Sequence, residues 1–424
     1  MHTKTHQNKK NIVILGGGFC GLQTAKKLAR LLDGNKEYQI VLVNKRVVHV
    51  YHADLYEIST AYNKRITEAC LSRLKKSVCV EIHRALMGLD ICFLHDIIDA
   101  IDPQKKTVSL RREGELPYEY LVLALGSVIN YYDIPGLQEN CYPLKTLEDA
   151  LALNCHVDQF FRERWQKKEH GKVNIAVGGG GLTGVEYACE LVGYVKKLAK
   201  KYRFNRKNVE ISIIQGGPEF GGLGGDVSQL CFERFKQLGV KAYADTRILG
   251  YDGKNVELDT KGIKKSMPAE ILIWAGGITI NPLLKNFPIL HPSGGMEVYP
   301  TLESPHCPKV YAGGDNAAIF NPDTHALTTK MAQFAVQQGK TIAYNIWADI
   351  TGNKQKIYRV HVKGYFLALG GKYFALKRKN YILKGIIPYI MHRIHEFIYF
   401  SKYMPLNLSF KRLKQQEEIF EQND

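Results

Sequence analysis

The sequence predicts an α/β fold built from two parallel-sheet units, one interrupted by the other. Three observations carry this. Two glycine clusters of G-x-G-x-x-G type are present, a short β-branched run precedes each, and a helix-like segment follows each.

The first cluster is Gly16-Gly17-Gly18-Phe19-Cys20-Gly21, directly after Ile12-Val13-Ile14-Leu15 and ahead of the apolar-periodic segment 22–31. Strand, glycine turn and helix in this order make a Rossmann-like phosphate cradle. Gly16 forms the turn, Gly18 lets the backbone approach a pyrophosphate, and Gly21 lets helix and strand pack closely. The helix N-terminus then points at the anion. The next strand, 39–43, ends in Asn44 and Lys45, where an acid usually holds a ribose. Both are candidate cofactor contacts. Tyr120-Leu121-Val122-Leu123-Ala124-Leu125-Gly126-Ser127 reads as a buried strand running into a glycine turn, which adds Ala124 and Gly126.

The second cluster is Gly179-Gly180-Gly181-Leu182-Thr183-Gly184, after the run 173–177 and before the helical segment 185–198. Gly179, Gly181 and Gly184 take the three glycine roles. The following strand, 210–214, ends in Gln215, again a neutral amide. An amide still hydrogen-bonds a ribose, and it repels a 2′-phosphate less than a carboxylate does. Residues 196–207 add a basic, exposed stretch. Gly276 lies in a second strand-to-glycine turn, 271–277, and Gly314-Asp315 closes a third, 310–315. Asp315 suits flavin ribityl or ribose hydroxyls, and also an N-cap before Asn316. Two cradles imply two nucleotides held at once, and the simplest chemistry for that pairing is hydride transfer between nicotinamide and flavin.

Pro-containing crossings at Ile134-Pro135-Gly136 and Asn281-Pro282 suggest a nested order. Residues 1–135 begin a discontinuous first nucleotide-binding domain, 136–280 form an inserted second one, and 281–346 complete the first. Residues 347–424 form a C-terminal region.

The chain has 424 residues, 45% of them hydrophobic, enough for two or three cores. The start 1–10 is polar, so no secretory leader is expected. No run of 18 apolar residues predicts a transmembrane helix. The nine cysteines are scattered without a C-x-x-C pair, which predicts a reducing compartment, no metal site and no redox-active disulfide. Cys20 fits as a small apolar filler.

A formal net charge of +17 points to anionic partners. Nucleic acid is not expected, because no nucleic-acid motif appears. From Lys354 onward basic residues recur while acids are scarce. Lys363, Lys372, Lys377, Arg378, Lys379 and Lys384 precede a candidate helix over 386–403. There Ile387, Ile390, Met391, Ile394, Phe397 and Ile398 recur at three- and four-residue steps, with His392, Arg393, His395 and Lys402 mostly between them. An apolar stripe beside a basic flank suits a helix lying in an anionic membrane interface. A core or dimer-interface helix is the alternative.

With these residues in view, the chain resembles the two-dinucleotide-binding flavoprotein oxidoreductases, and within them type II NADH dehydrogenases, the single-subunit NADH:quinone oxidoreductases. The resemblance spans residues 11–346. It includes Leu144-Lys145-Thr146-Leu147-Glu148-Asp149-Ala150, Thr183-Gly184-Val185-Glu186, Gly314-Asp315, and Ala332-Gln333-Phe334-Ala335-Val336-Gln337, which is similar to the family's A-Q-x-A-x-Q quinone pattern. Segment 49–57 departs from the family in lacking a proline and a leucine, and Lys330-Met331 replaces a Pro-Thr pair. A lysine there is similar to the ferroptosis-suppressor branch of NAD(P)H:quinone reductases. The resemblance implies bound FAD, NADH as donor, a membrane quinone as acceptor and a homodimer, and the neutral Gln215 adds NADPH as a second donor. The resemblance also implies peripheral attachment at the cytoplasmic face of the inner (plasma) membrane, without proton pumping.

Glu186 is then expected beside the nicotinamide, able to pair with Lys330, or else to stabilise its own helix start. Lys330 and the helix beginning at Ala332 would meet the flavin pyrimidine, where negative charge develops on reduction. Gln333 and Gln337, four apart, share a face able to reach quinone or flavin carbonyls. Two other classes stay open: a sulfide-oxidising relative, which needs cysteines where segment 327–339 has none, and a non-catalytic flavoprotein module.

Overall fold

Ile12, Val13, Ile14 and Leu15 are all fully buried, because their strand lies at the centre of a parallel sheet covered on both faces. The computed structural model describes residues 9–64, 66–285, 287, 291, 294–321 and 327–420, the last two without their side chains. The polar start 1–8 lies outside the described residues.

By packing, the chain forms two units. One comprises Met1–Val50, Val80–Val128 and Ile278–Lys363, the other Tyr51–Cys79, Ile129–Gly277 and Gly364–Asp424. The sheet of the first unit runs Val310–Ala312, Tyr120–Leu123, Lys10–Leu15, Tyr38–Asn44, Cys92–His95. All neighbours are parallel, with Ile14 level with Leu42 on one side and Val122 on the other. The Phe19–Leu31 helix packs along the Ala332–Thr351 helix. Gly339 makes that approach possible, since an added Cβ would sit 2.4 Å from the Cys20 carbonyl oxygen.

The second unit repeats the plan. Its parallel sheet runs Tyr142–Pro143, Ile271–Trp274, Val173–Gly178, Val209–Ile214, Val240–Tyr243. In each unit a three-stranded antiparallel meander precedes the last-but-one or last parallel strand in the chain, after the third parallel strand in the first unit and the fourth in the second. These meanders are Ile98–Asp102, Thr107–Leu110 and Gly114–Pro117, and then Thr246–Tyr251, Asn255–Thr260 and Ile263–Pro268.

Two further pieces pack with the second unit. The Leu55–Thr60 helix, buried at every residue, lies on the Leu147–Gln166 and Leu182–Lys201 helices. The C-terminal part forms an antiparallel sheet, Tyr365–Ala368, Phe374–Arg378 and Tyr381–Gly385, followed by the Ile386–Phe400 and Leu406–Phe420 helices. The first of these helices stops three residues short of the expected 403, and Pro405 stands at the start of the next. Pro388 sits within the first turn, where its missing N–H costs nothing.

The apolar stripe of the Ile386–Phe400 helix faces outward. Ile387, Ile390 and Ile394 are 56%, 50% and 53% exposed, while Arg393 is 5% exposed. The charged face is the buried one, with His392 and Glu396 also inside. Among the described residues no helix is long and apolar enough to cross a membrane.

Candidate active site

Both glycine loops have the same sterics. In the first, an added Cβ on Gly16 would lie 2.2 Å from the Ala124 carbonyl oxygen, and one on Gly21 would lie 1.9 Å from that of Gly16. In the second, Gly179 is closed by Gly276 Cα at 2.5 Å and Gly184 by the Gly179 oxygen at 1.9 Å. Gly18 and Gly181 have nothing within 4 Å. Turn and packing glycines are therefore filled against the fold, and the middle one faces open space, where a pyrophosphate needs close backbone approach. Gly18 and Gly181 are also the N-caps of their helices. Neither helix has a capping side chain or an acid in its first turn. Their N-terminal N–H groups stay available to an anion. By contrast, the Leu147–Gln166 helix is closed by a Thr146–Asp149 capping box.

Asn44 and Gln215 make the same contact in their two units. The Asn44 amide oxygen accepts from the Gly17 N–H at 2.9 Å, and the Gln215 amide oxygen accepts from the Gly180 N–H at 2.9 Å. Their NH₂ groups donate to the Arg46 and Glu219 carbonyls. Each side chain braces its own glycine loop and keeps one N–H and one lone pair for a ribose. Lys45 is exposed beside Asn44. His49, which the sequence did not single out, supports the first loop from behind. Burial brings its pKa down to about 4, and its neutral Nδ1–H donates to the Gly17 carbonyl at 2.9 Å.

The turns around Gly126 and Gly314 are stitched together. The Asn316 side chain accepts from the Gly126 N–H at 3.1 Å and donates to the Gly126 carbonyl at 2.7 Å. Asp315 accepts from the Ser127 hydroxyl. The Gly314 N–H donates to Gln338 Oε1 at 2.7 Å, and Gln338 is buried. Asn316 and Gln338 are functional supports that the motif spacing did not reveal. Cys20 packs against this turn as the expected filler. An added Cβ on Gly313 would lie 2.6 Å from its Sγ, and burial pushes the thiol up to about 12.

The Ala332–Thr351 helix also begins without a side-chain cap or a first-turn acid. Just before it, Lys330 Nζ donates to the Gly294 carbonyl at 3.2 Å. Both expected glutamines reach the extended segment 361–363. The Gln337 amide donates to the His361 carbonyl at 2.8 Å and accepts from its N–H at 3.1 Å, while Gln333 Oε1 accepts from the Lys363 N–H at 3.3 Å. They share a face, and that face clamps backbone.

In the second unit, Glu186 accepts from the Ala368 N–H at 3.3 Å. Desolvation of its carboxyl pushes the pKa up to about 8, aided by Glu57 and Glu190 and opposed by that hydrogen bond. Lys330 and Glu186 belong to different units. Gly276 packs under the Trp274 ring, 2.4 Å from where a Cβ would sit.

A buried ion cluster lies in the same unit. Arg393 donates to both Glu57 oxygens, at 2.7 and 3.3 Å, and to Glu396 at 2.7 Å. Gln416 donates to Asp54 and Glu396, and Arg412 stands 3.9 Å from Asp54. Burial and Glu396 hold the Asp54 carboxyl well above its usual range, whereas Arg393 holds Glu396 well below it. All nine cysteines are free thiols. Among the described residues no group of three or more His, Cys, Asp or Glu is arranged to hold a metal.

Comparison with known proteins fits this double cradle. A family model described as pyridine nucleotide-disulphide oxidoreductase matches residues 10–339. The chain belongs to that family. It is similar to a type II NADH:quinone oxidoreductase of Staphylococcus aureus (strain NCTC 8325 / PS 47), 24% identical over 367 residues, covering 86% of this chain and 88% of the relative. NDH2 from Plasmodium falciparum, solved in complex with NADH, superposes with a TM-score of 0.81 at 19% identity, covering 96% of this chain and 98% of that one. The sulfide:quinone oxidoreductase of Aquifex aeolicus reaches 0.76 at 20% identity, covering 97% and 95%. At these identities the family's two-unit fold is what the solved structures share with the chain.

Proposed function

We propose that the chain is an FAD-dependent NADH:quinone oxidoreductase that works on a membrane surface, without proton pumping. The observation that carries this is the repeated cradle. Two uncapped helix starts each face an open glycine, Gly18 and Gly181, and a third uncapped helix starts at Ala332 behind Lys330. The names of the Staphylococcus aureus and Plasmodium falciparum relatives support this choice of donor and acceptor.

The residues fit an FAD in the first unit and a nicotinamide dinucleotide in the second. FAD, when bound, would supply two-electron redox chemistry between a hydride donor and a quinone. Gly18 and its helix hold the pyrophosphate, Asn44 and Lys45 border the adenine ribose, and Asp315 takes ribityl hydroxyls. Gln338 and Asn316 fix the turns that present Ala124, Gly126 and Gly314. Lys330 and the Ala332 helix start stabilise negative charge at the pyrimidine end. Gln333 and Gln337 position segment 361–363 at the quinone side. In the second unit Gly181 and Gln215 would receive the dinucleotide, and Glu186, protonated near neutral pH, would face its nicotinamide end.

Residues 1–135 with 281–346 serve as the FAD domain, 136–280 as the NAD(P)H domain and 347–424 as the membrane-association region. The outward isoleucine stripe of the Ile386–Phe400 helix, flanked by Arg378, Lys379 and Lys384, inserts into an anionic interface at the cytoplasmic face. The active form is a homodimer.

The test is cofactor content and turnover. Purified protein should be yellow, release FAD on denaturation, and oxidise NADH only when a quinone is supplied. A colourless protein that FAD cannot reconstitute overturns the reading.

A further inference from the structure

We propose that Arg247 binds the 2′-phosphate of NADPH at the tip of the second nucleotide unit, so that the chain accepts NADPH as well as NADH. This rests on the nucleotide reading of that unit. The Val209–Ile214 strand ends at Gln215, whose amide oxygen is turned onto the Gly180 N–H. No carboxylate therefore stands at the strand end to repel a phosphate. Gly216 and Gly217 follow and carry no side chain of their own into the space at the tip.

Two backbone bonds tie the start of the Thr246–Tyr251 strand to this tip. The Thr246 N–H donates to the Gln215 carbonyl and the Asp245 N–H to the Gly217 carbonyl, each at 2.9 Å. They carry Arg247 alongside, where an added Cβ on Gly216 would lie 3.8 Å from Arg247 Cγ. Arg247 is exposed and makes no hydrogen bond or ion pair among the described residues. The nearby acids are engaged elsewhere or set apart. Asp245 pairs with Lys261 at 3.0 Å. Asp259, opposite Arg247 in register, accepts from the Gly262 N–H at 2.6 Å. Glu219 lies beyond the glycines, exposed. A planar guanidinium without a partner, beside a strand tip without a carboxylate, matches a phosphate monoester and has no comparable use for a 2′-hydroxyl.

The experiment is calorimetric titration of the FAD-loaded protein with 2′,5′-ADP and with 5′-AMP at low salt. The intact chain should bind 2′,5′-ADP about tenfold more tightly than 5′-AMP, a difference of about 1.4 kcal/mol. Arg247→Ala should erase that preference and change 5′-AMP affinity by less than about twofold, since the side chain is exposed and packs no core. Gln215→Glu should weaken 2′,5′-ADP selectively as well. Equal affinities in the intact chain, or a preference that survives Arg247→Ala, overturn the proposal. If neither ligand binds, the nucleotide reading of the unit itself falls.

Discussion

Arg393 and Glu57 form a buried, two-bonded ion pair that fastens the Ile386–Phe400 helix to the Leu55–Thr60 helix across 336 residues of chain. The pair decides which way the C-terminal helix faces. A guanidinium shared between Glu57 and Glu396 has to stay inside, and Ile387, Ile390 and Ile394 are thereby turned out.

Removing one partner leaves buried charge uncompensated. Arg393→Met should therefore cost about 3–5 kcal/mol. Urea denaturation followed by intrinsic fluorescence measures this. A loss below about 1 kcal/mol, the range of an exposed pair, contradicts the buried geometry.

The glycine loop separates binding from folding. Gly18 faces open space with φ of −77°, so Gly18→Val should leave the melting temperature nearly unchanged while reducing FAD content several-fold. Gly21→Ala drives a Cβ to 1.9 Å from the Gly16 oxygen and should lower both. The ratio of flavin to protein absorbance, with a thermal melt, checks the pair. Full FAD in Gly18→Val places the pyrophosphate elsewhere.

Much of this was legible from sequence, for physical reasons that differ by element. Parallel strands buried on both faces read as unbroken apolar runs, as at Ile12-Val13-Ile14-Leu15. The meanders 98–117 and 246–268 did not, because strands such as Ile263–Pro268 are mostly exposed and carry no clear alternation. Asn44 and Gln215 stood out by position, yet residue type does not say that an amide will turn onto a glycine N–H. Gln338 escaped notice because spacing pairs Gln333 with Gln337, and only the fold brings Gln338 to Gly314. Arg393 read only as a polar break in the apolar stripe, because its acidic partner Glu57 lies far away in sequence.

Glu186 predicts a pH dependence. Its folded-state pKa, raised to about 8, lies above the ordinary value of 4.5, so the folded chain holds a proton that the unfolded chain releases between those values. Its contribution to stability is full below about pH 4.5 and falls as pH rises toward about 8, by at most about 1.4 kcal/mol per pH unit before solvent screening reduces it. Glu186→Gln, neutral throughout, should gain stability relative to the parent over that window. Parallel unfolding curves at pH 5.5 and 7.5, with a constant difference between the two proteins, would count against the raised value.

Membrane attachment should depend on the outward stripe. Ile390→Lys with Ile394→Lys alters exposed positions and should leave the fold intact, but abolish sedimentation with anionic vesicles. High salt should release the parent only in part, because salt screens the basic flank and does not weaken apolar burial. Unchanged sedimentation of the double variant assigns the stripe to a dimer contact.

Anaerobic stopped-flow with the FAD-loaded protein tests the central claim most directly, by following flavin absorbance through two successive mixes. NADH should bleach the flavin in the first mix, and a soluble quinone should restore it in the second. A flavin that NADH leaves oxidised, or a reduced flavin that no quinone reoxidises, would contradict the account.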